Sequence, residues 1–268
     1  MGVSGPPELR TAAVNAGDAH ERVIWHDLEC GAYRADLALW RELADGVAQA
    51  PGAAPILDVG AGSGRVSLDL ARAGHAVTAV DLETPLLDAL AERGAGLSIE
   101  TVCADARELD LARRDFALCV VPMQTVQLLG GSAGRSAFLQ RAHAHLRPGG
   151  VLACAIVTAL EPFDCSAGDP LPAAETASVG DRLYLSRPLR VVLRMRTITI
   201  ERERTVMHDR ESMRRVPSSA VRDVVELDRV RPARLTREAL SAGFTAAGVR
   251  EIPPTSDHVG SLVVLFDA

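Results

Sequence analysis

Residues 55–65 read Pro-Ile-Leu-Asp-Val-Gly-Ala-Gly-Ser-Gly-Arg, and after a helical run the chain continues Ala76-Val-Thr-Ala-Val-Asp81. Ile56, Leu57 and Val59 form a short apolar run of the kind that becomes a buried parallel strand. Gly60, Gly62 and Gly64 then let the backbone turn sharply and approach a ligand with no Cβ in the way. Val66, Leu70 and Ala73 follow at helical spacing, and Gly74 stands where a glycine stops a helix. A second strand ends on Asp81, about 20 residues past the first glycine, where a carboxylate can take two ribose hydroxyls. The stretch reads as a nucleoside-binding βαβ unit.

The spacing is Gly-x-Gly-x-Gly, with Asp58 two residues ahead of the first glycine. Dinucleotide enzymes use Gly-x-Gly-x-x-Gly and present bare amides at a helix N-terminus to a pyrophosphate. The stretch resembles motif I of the class I S-adenosylmethionine-dependent methyltransferases. Their cofactor has no phosphate; it carries a sulfonium and an α-amino group, so an acid beside the turn is welcome. The resemblance implies S-adenosylmethionine as cofactor and S-adenosylhomocysteine as product, held by Asp58, Gly60, Ala61, Gly62, Gly64, Asp81 and Leu82. Asp58 would either bond the loop amides or meet the cofactor's amino group. Arg65 would meet the methionine carboxylate or form a surface ion pair. An NAD-type oxidoreductase is the competing enzyme, and the absence of a Tyr-x-x-x-Lys pair also weighs against it.

At 268 residues the chain has room for one α/β domain with insertions, and its apolar fraction is ordinary for a soluble globular protein. A net charge of -6 and the lack of a basic tract with interleaved aromatics exclude nucleic acid as an expected partner. No apolar run is long enough to span a bilayer, and the N-terminus has no basic segment followed by an apolar one. Neither membrane span nor secretory signal is expected. The five cysteines show no Cys-x-x-Cys spacing and fit a reduced cytoplasm. Every basic side chain is Arg, which reads as coding bias and excludes Schiff-base lysine chemistry.

Residues 1–18 read as a mobile tail and 19–268 as a single domain. Residues 19–50 look helical, with Trp25 and Tyr33 ahead of the fold proper. They are either a lid over cofactor and substrate, as in the small-molecule methyltransferases resembled here, or an ordinary packing helix. Thr84-Pro85 is a helix start, and Leu97, Ile99, Thr101 and Cys103 alternate as a strand leading to Asp105. By the resemblance, Asp105 takes the adenine amino group and the amide of Ala106 a ring nitrogen. Phe116–Pro122 is the fourth strand, and the resemblance also puts Val121 at the cofactor. Gln124 and Gln127 lie beyond the strand's carboxyl end, where ligands bind in open α/β sheets, and could orient substrate or hold a lid. Ser132 is placed as the next N-cap. His143 and His145 point to different faces and form no metal pair. Leu146-Arg-Pro-Gly-Gly150 before an apolar strand is a further feature of the methyltransferase family.

Residues 161–215 read as an acceptor-side insertion, extended over 183–208. Arg190, Arg194, Arg196, Arg202 and Arg204 are expected on a solvated face with Glu201 and Glu203. Val221–Val230 is taken as the sixth strand. Thr236 caps a helix continuing through Phe244 and Ala247, and Val259–Phe266 is the seventh strand. The resemblance covers residues 55–158 closely and 221–266 loosely. It implies an α/β, Rossmann-like doubly wound seven-stranded sheet with the last strand antiparallel, a helical lid, and a β insertion after strand 5.

Methyl transfer from a sulfonium is an in-line displacement, so positioning in a dry pocket supplies most of the catalysis. A base is needed only where the attacking atom holds a proton. His26, His208 and His258 are candidates, with His26 first for its neighbours Asp27 and Glu29. There is no Asn/Asp-Pro-Pro-Tyr/Phe motif for adenine or glutamine N-methylation, and no ligand cluster of the metal-dependent catechol type; no metal is expected. The resulting expectation is methylation of an O, N or C atom of a small molecule, of the secondary-metabolite kind, by a cytoplasmic monomer or homodimer without membrane contact. A cyclase or a S-adenosylmethionine-binding module on the same fold is the alternative.

Overall fold

A computed structural model describes residues 19–48, 55–208, 220–255 and 258–268; the tail expected over residues 1–18 lies outside the described residues. The helical stretch expected over 19–50 is broken. Helix α1 (Ala19–His26) runs into a single π-helical turn, Asp27–Gly31, and the chain then bends into α2 (Leu37–Ala48). A π turn re-aims side chains by inserting one residue into the helix, and such turns cluster at functional sites.

Strands β1 (Ile56–Val59), β2 (Val77–Asp81), β3 (Ile99–Cys103), β4 (Phe116–Val121) and β5 (Leu146–Ile156) are all parallel. Helices α3 (Arg65–Arg72), α4 (Thr84–Arg93) and α5 (Gly131–His145) connect them. Along β1 the pleat sends Ile56 to one face and Leu57 and Val59 to the other. Trp40 and Ala44 of α2 and Val66 and Leu70 of α3 cover the first face, with α4 beside them through Leu87 and Leu90. Phe138, Leu139 and Ala142 of α5 cover the second. Both faces are therefore dry, which is why β4 is buried at every position. Each large apolar side chain buried this completely contributes about 1.5–3 kcal/mol.

After β5 the chain leaves this sheet for a second, antiparallel one. It contains β6 (Phe163–Asp164), β7 (Glu175–Val179), β8 (Arg182–Leu193), β9 (Thr197–His208) and β10 (Ala220–Asp228). Its order is β10-β9-β8-β6, with β7 also on β8. Val221–Val230 is thus extended as expected but is not the sixth strand of the main sheet: it pairs with β9 from Ala220 opposite Thr205 to Asp228 opposite Thr197.

Helix α6 (Pro232–Ser241) then returns the chain to the main sheet, and its Leu235 and Ala239 join α5 on the second face. The helix is shorter and earlier than expected, so Thr236 lies inside it rather than capping it. The true sixth strand, β11 (Thr245–Ile252), starts where the helix was expected to end. Strand β12 (Ser261–Asp267) closes the sheet between β5 and β11, antiparallel to both, giving the order β3-β2-β1-β4-β5-β12-β11. Two other caps also move. Glu83, not Thr84, stands before α4, and Gly130 stands before α5, while Ser132 donates its hydroxyl to Glu238 instead. Among the described residues no helix is long and apolar enough to cross a membrane.

Candidate active site

The glycine loop between β1 and α3 is held by main-chain bonds, with the Gly60 and Ala61 amides donating to Val80 O at 2.9 and 3.1 Å. Gly60 (φ 74°) and Gly62 (φ 54°) are left-handed, and neither has space for a side chain. A Cβ on Gly60 would lie 2.4 Å from Thr125 Oγ1, and one on Gly62 2.3 Å from His26 Nε2. Asp81, at the end of β2, ties this loop to the next one: Oδ2 accepts from Gly62 N at 2.8 Å and Oδ1 from Glu83 N at 3.0 Å.

Beneath the loop, Asp58 is fully buried. Its Oδ2 accepts from Ser67 Oγ at 2.6 Å, while Oδ1 has no hydrogen-bond partner among the described residues. Burial pushes its carboxyl up to about 6. The expectation that Asp58 braces the loop amides is replaced by a bond to the first turn of α3. Asp105 accepts from both the main-chain N and Nε of Arg107, at 2.8 and 3.0 Å, and these contacts hold its carboxyl below the usual range.

These groups line a cleft of about 610 Å³ at the carboxyl ends of β1, β2 and β4. Of the expected residues, Asp58, Gly60, Ala61, Asp81, Leu82, Asp105, Ala106, Gln124 and His26 all border it. Gly62 contributes its amide to Asp81, and Gly64 starts α3. Four expected residues, Val121, Gln127, Tyr33 and Trp25, sit elsewhere. Val121 is in the core with no exposed surface, and Pro122 and Met123 border the cleft in its place. Gln127 is buried with its amide consumed: Nε2 donates to Val157 O and Asp228 O at 3.2 and 2.8 Å, and Oε1 accepts from Val157 N at 2.7 Å. It stitches the end of β5 to β10 and cannot reach a substrate. Tyr33 belongs to the core beside α2, with its ring 5.0 Å from that of His258.

Arg65 borders the cleft but forms no surface ion pair. Its guanidinium is buried against Asp36, with Nη2 to Oδ2 at 2.8 Å, and also donates to Tyr33 O at 3.1 Å. Trp25 faces the second sheet, edge-on to Tyr184 at 5.2 Å with the Arg204 guanidinium 5.6 Å from its ring centre. The arginine strand is not merely solvated. Arg204 Nε and Nη2 hold the two oxygens of Glu29 at 2.8 and 2.7 Å, and Nη1 reaches Asp223 at 3.0 Å. Glu201 meets Arg190 at 3.6 Å, one of the arginines it was expected to pair with.

The N-terminal segment is fastened at several points, including Arg22 to Glu83 at 3.4 Å and Glu21 to Arg182 at 3.1 Å. Glu29 docks it on the second sheet, and Asp27 docks it on Ser63 of the glycine loop and Arg93 of α4. Between these points His26 and Cys30 face the cleft. Cys30 is pushed up to about 11 by burial, with Glu29 adding to it, so it stays a neutral thiol. The side chain of His208 lies outside the described residues. His145 is buried and bonded through Leu111 N and Arg141 O, and among the described residues no group of three or more side chains is arranged to hold a metal ion. Sequence reading set Asp27 beside His26 but missed Ser63, Arg93, Arg107 and Thr125. Ser63 had a signal, lying inside the glycine motif, and Arg107 sits two residues past Asp105; Arg93 depends on a partner 66 residues away.

Residues 56–150 match the family model of a methyltransferase domain. Over 95 residues the chain is 35% identical to the cypemycin N-terminal methyltransferase of a Streptomyces species. That stretch is 35% of this chain and 38% of the relative, so the match spans well under half of that protein's length. The structure of the sugar N-methyltransferase KedS8 from Streptoalloteichus sp superposes on 98% of this chain and 98% of its own, with a TM-score of 0.66 at 16% identity. CalS10, an amino pentose methyltransferase from Micromonospora echinaspora with S-adenosylmethionine bound, covers 93% of this chain and 97% of its own, with a TM-score of 0.64 at 19% identity. Residues 56–150 thus match a methyltransferase domain, and the chain as a whole shares the fold of these solved S-adenosylmethionine-dependent methyltransferases.

Proposed function

We propose that the protein transfers a methyl group from S-adenosylmethionine to a small-molecule acceptor of the secondary-metabolite kind, with nitrogen favoured among O, N and C. The observation that carries the reading is the charge of the cleft. Asp58, Asp81, Glu83 and Asp105 border it, and its two arginines are already paired, Arg65 with Asp36 and Arg107 with Asp105. An acid-lined glycine cradle suits a cationic, phosphate-free nucleoside and repels a pyrophosphate. Asp81 would take the ribose hydroxyls, Asp105 and the Ala106 amide the adenine, and the unpartnered Oδ1 of Asp58 the α-amino group. Bound there, the cofactor supplies a methyl group already activated on sulfur.

The structure's own residues then exclude water and handle protons. Leu82, Leu86 and Leu128 give the cleft apolar walls, and the segment carrying His26 covers one side. An amine acceptor is an ammonium at neutral pH, so one proton must leave before the nitrogen can attack; His26 is our candidate for taking it. Gln124 would orient the acceptor, with the second sheet on the acceptor side. By their names KedS8 is a sugar N-methyltransferase, CalS10 an amino pentose methyltransferase and the cypemycin enzyme an N-terminal methyltransferase, which also favours an amine. We read residues 19–268 as one domain, cytoplasmic, working without nucleic acid or membrane.

The test is transfer of isotopically labelled methyl to a panel of amino sugars, peptides with free N-termini, and their hydroxyl analogues. Label on the amines and not on the analogues is expected. Label on the hydroxyl compounds alone would move the acceptor atom to oxygen, and tight cofactor binding without turnover on any class would favour a non-methylating protein.

A further inference from the structure

Four side chains meet where the N-terminal segment crosses the glycine loop. Arg93 donates to Asp27 twice, Nη1 to Oδ1 at 3.1 Å and Nη2 to Oδ2 at 2.6 Å. Ser63 Oγ donates to Asp27 Oδ1 at 2.5 Å, and the same Oγ lies 3.0 Å from His26 Nδ1. A carboxylate only accepts, and a serine hydroxyl has one proton to give. That proton is committed to Asp27, so Ser63 can only accept from His26, and Nδ1 must be the protonated ring nitrogen. In a neutral imidazole Nε2 is then left with its lone pair. Nε2 makes no hydrogen bond among the described residues and lies against Gly62, at the one position where a Cβ would collide with it. His26 borders the cleft; Asp27 and Ser63 do not.

We propose that Ser63 and Asp27 are positioning residues that fix His26 as its Nδ1–H tautomer, making Nε2 the atom that takes the acceptor's proton. The inference rests on the methyltransferase reading above. His26 Nε2 removes one proton from the acceptor ammonium, and the freed nitrogen lone pair forms the N–C bond as the C–S bond breaks and its electron pair returns to sulfur. Asp27 stays ionised throughout: burial alone would raise its carboxyl, but His26, Arg93 and Ser63 together hold it well below the usual range. The relay joins the N-terminal segment to the glycine loop, so the base is set only when that segment is docked.

The tautomer is read directly from long-range proton–nitrogen spectra of ¹⁵N-histidine-labelled protein at about pH 8, above the histidine range. His26→Gln assigns the signal. The wild type should show Nδ1–H. Asp27→Ala frees the Ser63 proton for Nδ1, and Ser63→Ala removes the acceptor; both should lose the Nδ1–H signature. Asp27→Asn keeps an oxygen for Ser63 and should retain it, which separates a lost relay from a lost fold. An Nε2–H wild type, or an Nδ1–H signal unmoved in both alanine variants, would overturn the inference alone. Titration of the wild type with S-adenosylhomocysteine separates the other failure, since no binding there would overturn the methyltransferase reading itself.

Discussion

Asp58 is the residue with the largest consequence for its size. A carboxylic acid whose carboxyl rises from 3.8 unfolded to about 6 folded binds its proton more tightly in the native state. Its contribution to stability is therefore intact below about pH 4 and lost as pH rises through 6. Replacing Asp58 with Asn, which can still accept from Ser67, should stabilise the empty protein by roughly 2–3 kcal/mol at pH 7 and by little at pH 4. Denaturant melts of both proteins at the two pH values check this; an equal effect at both would mean that Asp58 is not buried as a charge. The same substitution should weaken S-adenosylhomocysteine, whose amino group loses an anion. Asp58, Asp81 and the glycines were legible in the sequence because their geometry is local. The Arg65–Asp36 pair was not: 29 residues separate the partners, and nothing in either neighbourhood announces the other.

The π-helical turn between α1 and α2 carries the contacts that hold the N-terminal segment beside the cleft. Glu29 points from it to Arg204, and although burial would raise its carboxyl, that arginine and Ser186 hold it below 4.5. Its stabilisation is present above pH 4.5 and is lost as pH falls beneath that value. Glu29→Gln should lower the opening free energy of residues 19–31 by about 1–3 kcal/mol. Hydrogen exchange there should quicken by about tenfold or more while β1 to β5 hold their protection. Uniform quickening across the sheet would show that the segment does not open on its own. Helix was readable over this stretch, but its break was not, because the π turn is fixed by docking to β9 and to the glycine loop. Strand β11 escaped reading for a different reason. Thr245-Ala-Ala-Gly-Val-Arg-Glu is exposed at every position and has no apolar alternation to report.

At the scale of the whole molecule two sheets are joined by few polar groups, and Gln127 is one of them. Gln127→Leu would strand Val157 N, Val157 O and Asp228 O, all at the junction. It should cost about 2–4 kcal/mol and broaden the thermal transition as the second sheet uncouples from the first. An unchanged melting profile would mean that the sheets are held elsewhere. Sequence could mark both β9 and β10 as extended but could not assign them to sheets, since register is a property of distant pairs. What unites the scales is an acid-lined glycine cleft closed by a docked segment. Calorimetric titration with S-adenosylmethionine, S-adenosylhomocysteine and NAD, on wild type and Asp81→Ala, tests that most directly. Micromolar binding of both adenosyl ligands, weakened at least tenfold in Asp81→Ala and absent for NAD, is the predicted result, a loss of about 1.4 kcal/mol or more. Tighter binding of NAD, or no adenosyl binding by the wild type, would contradict the account.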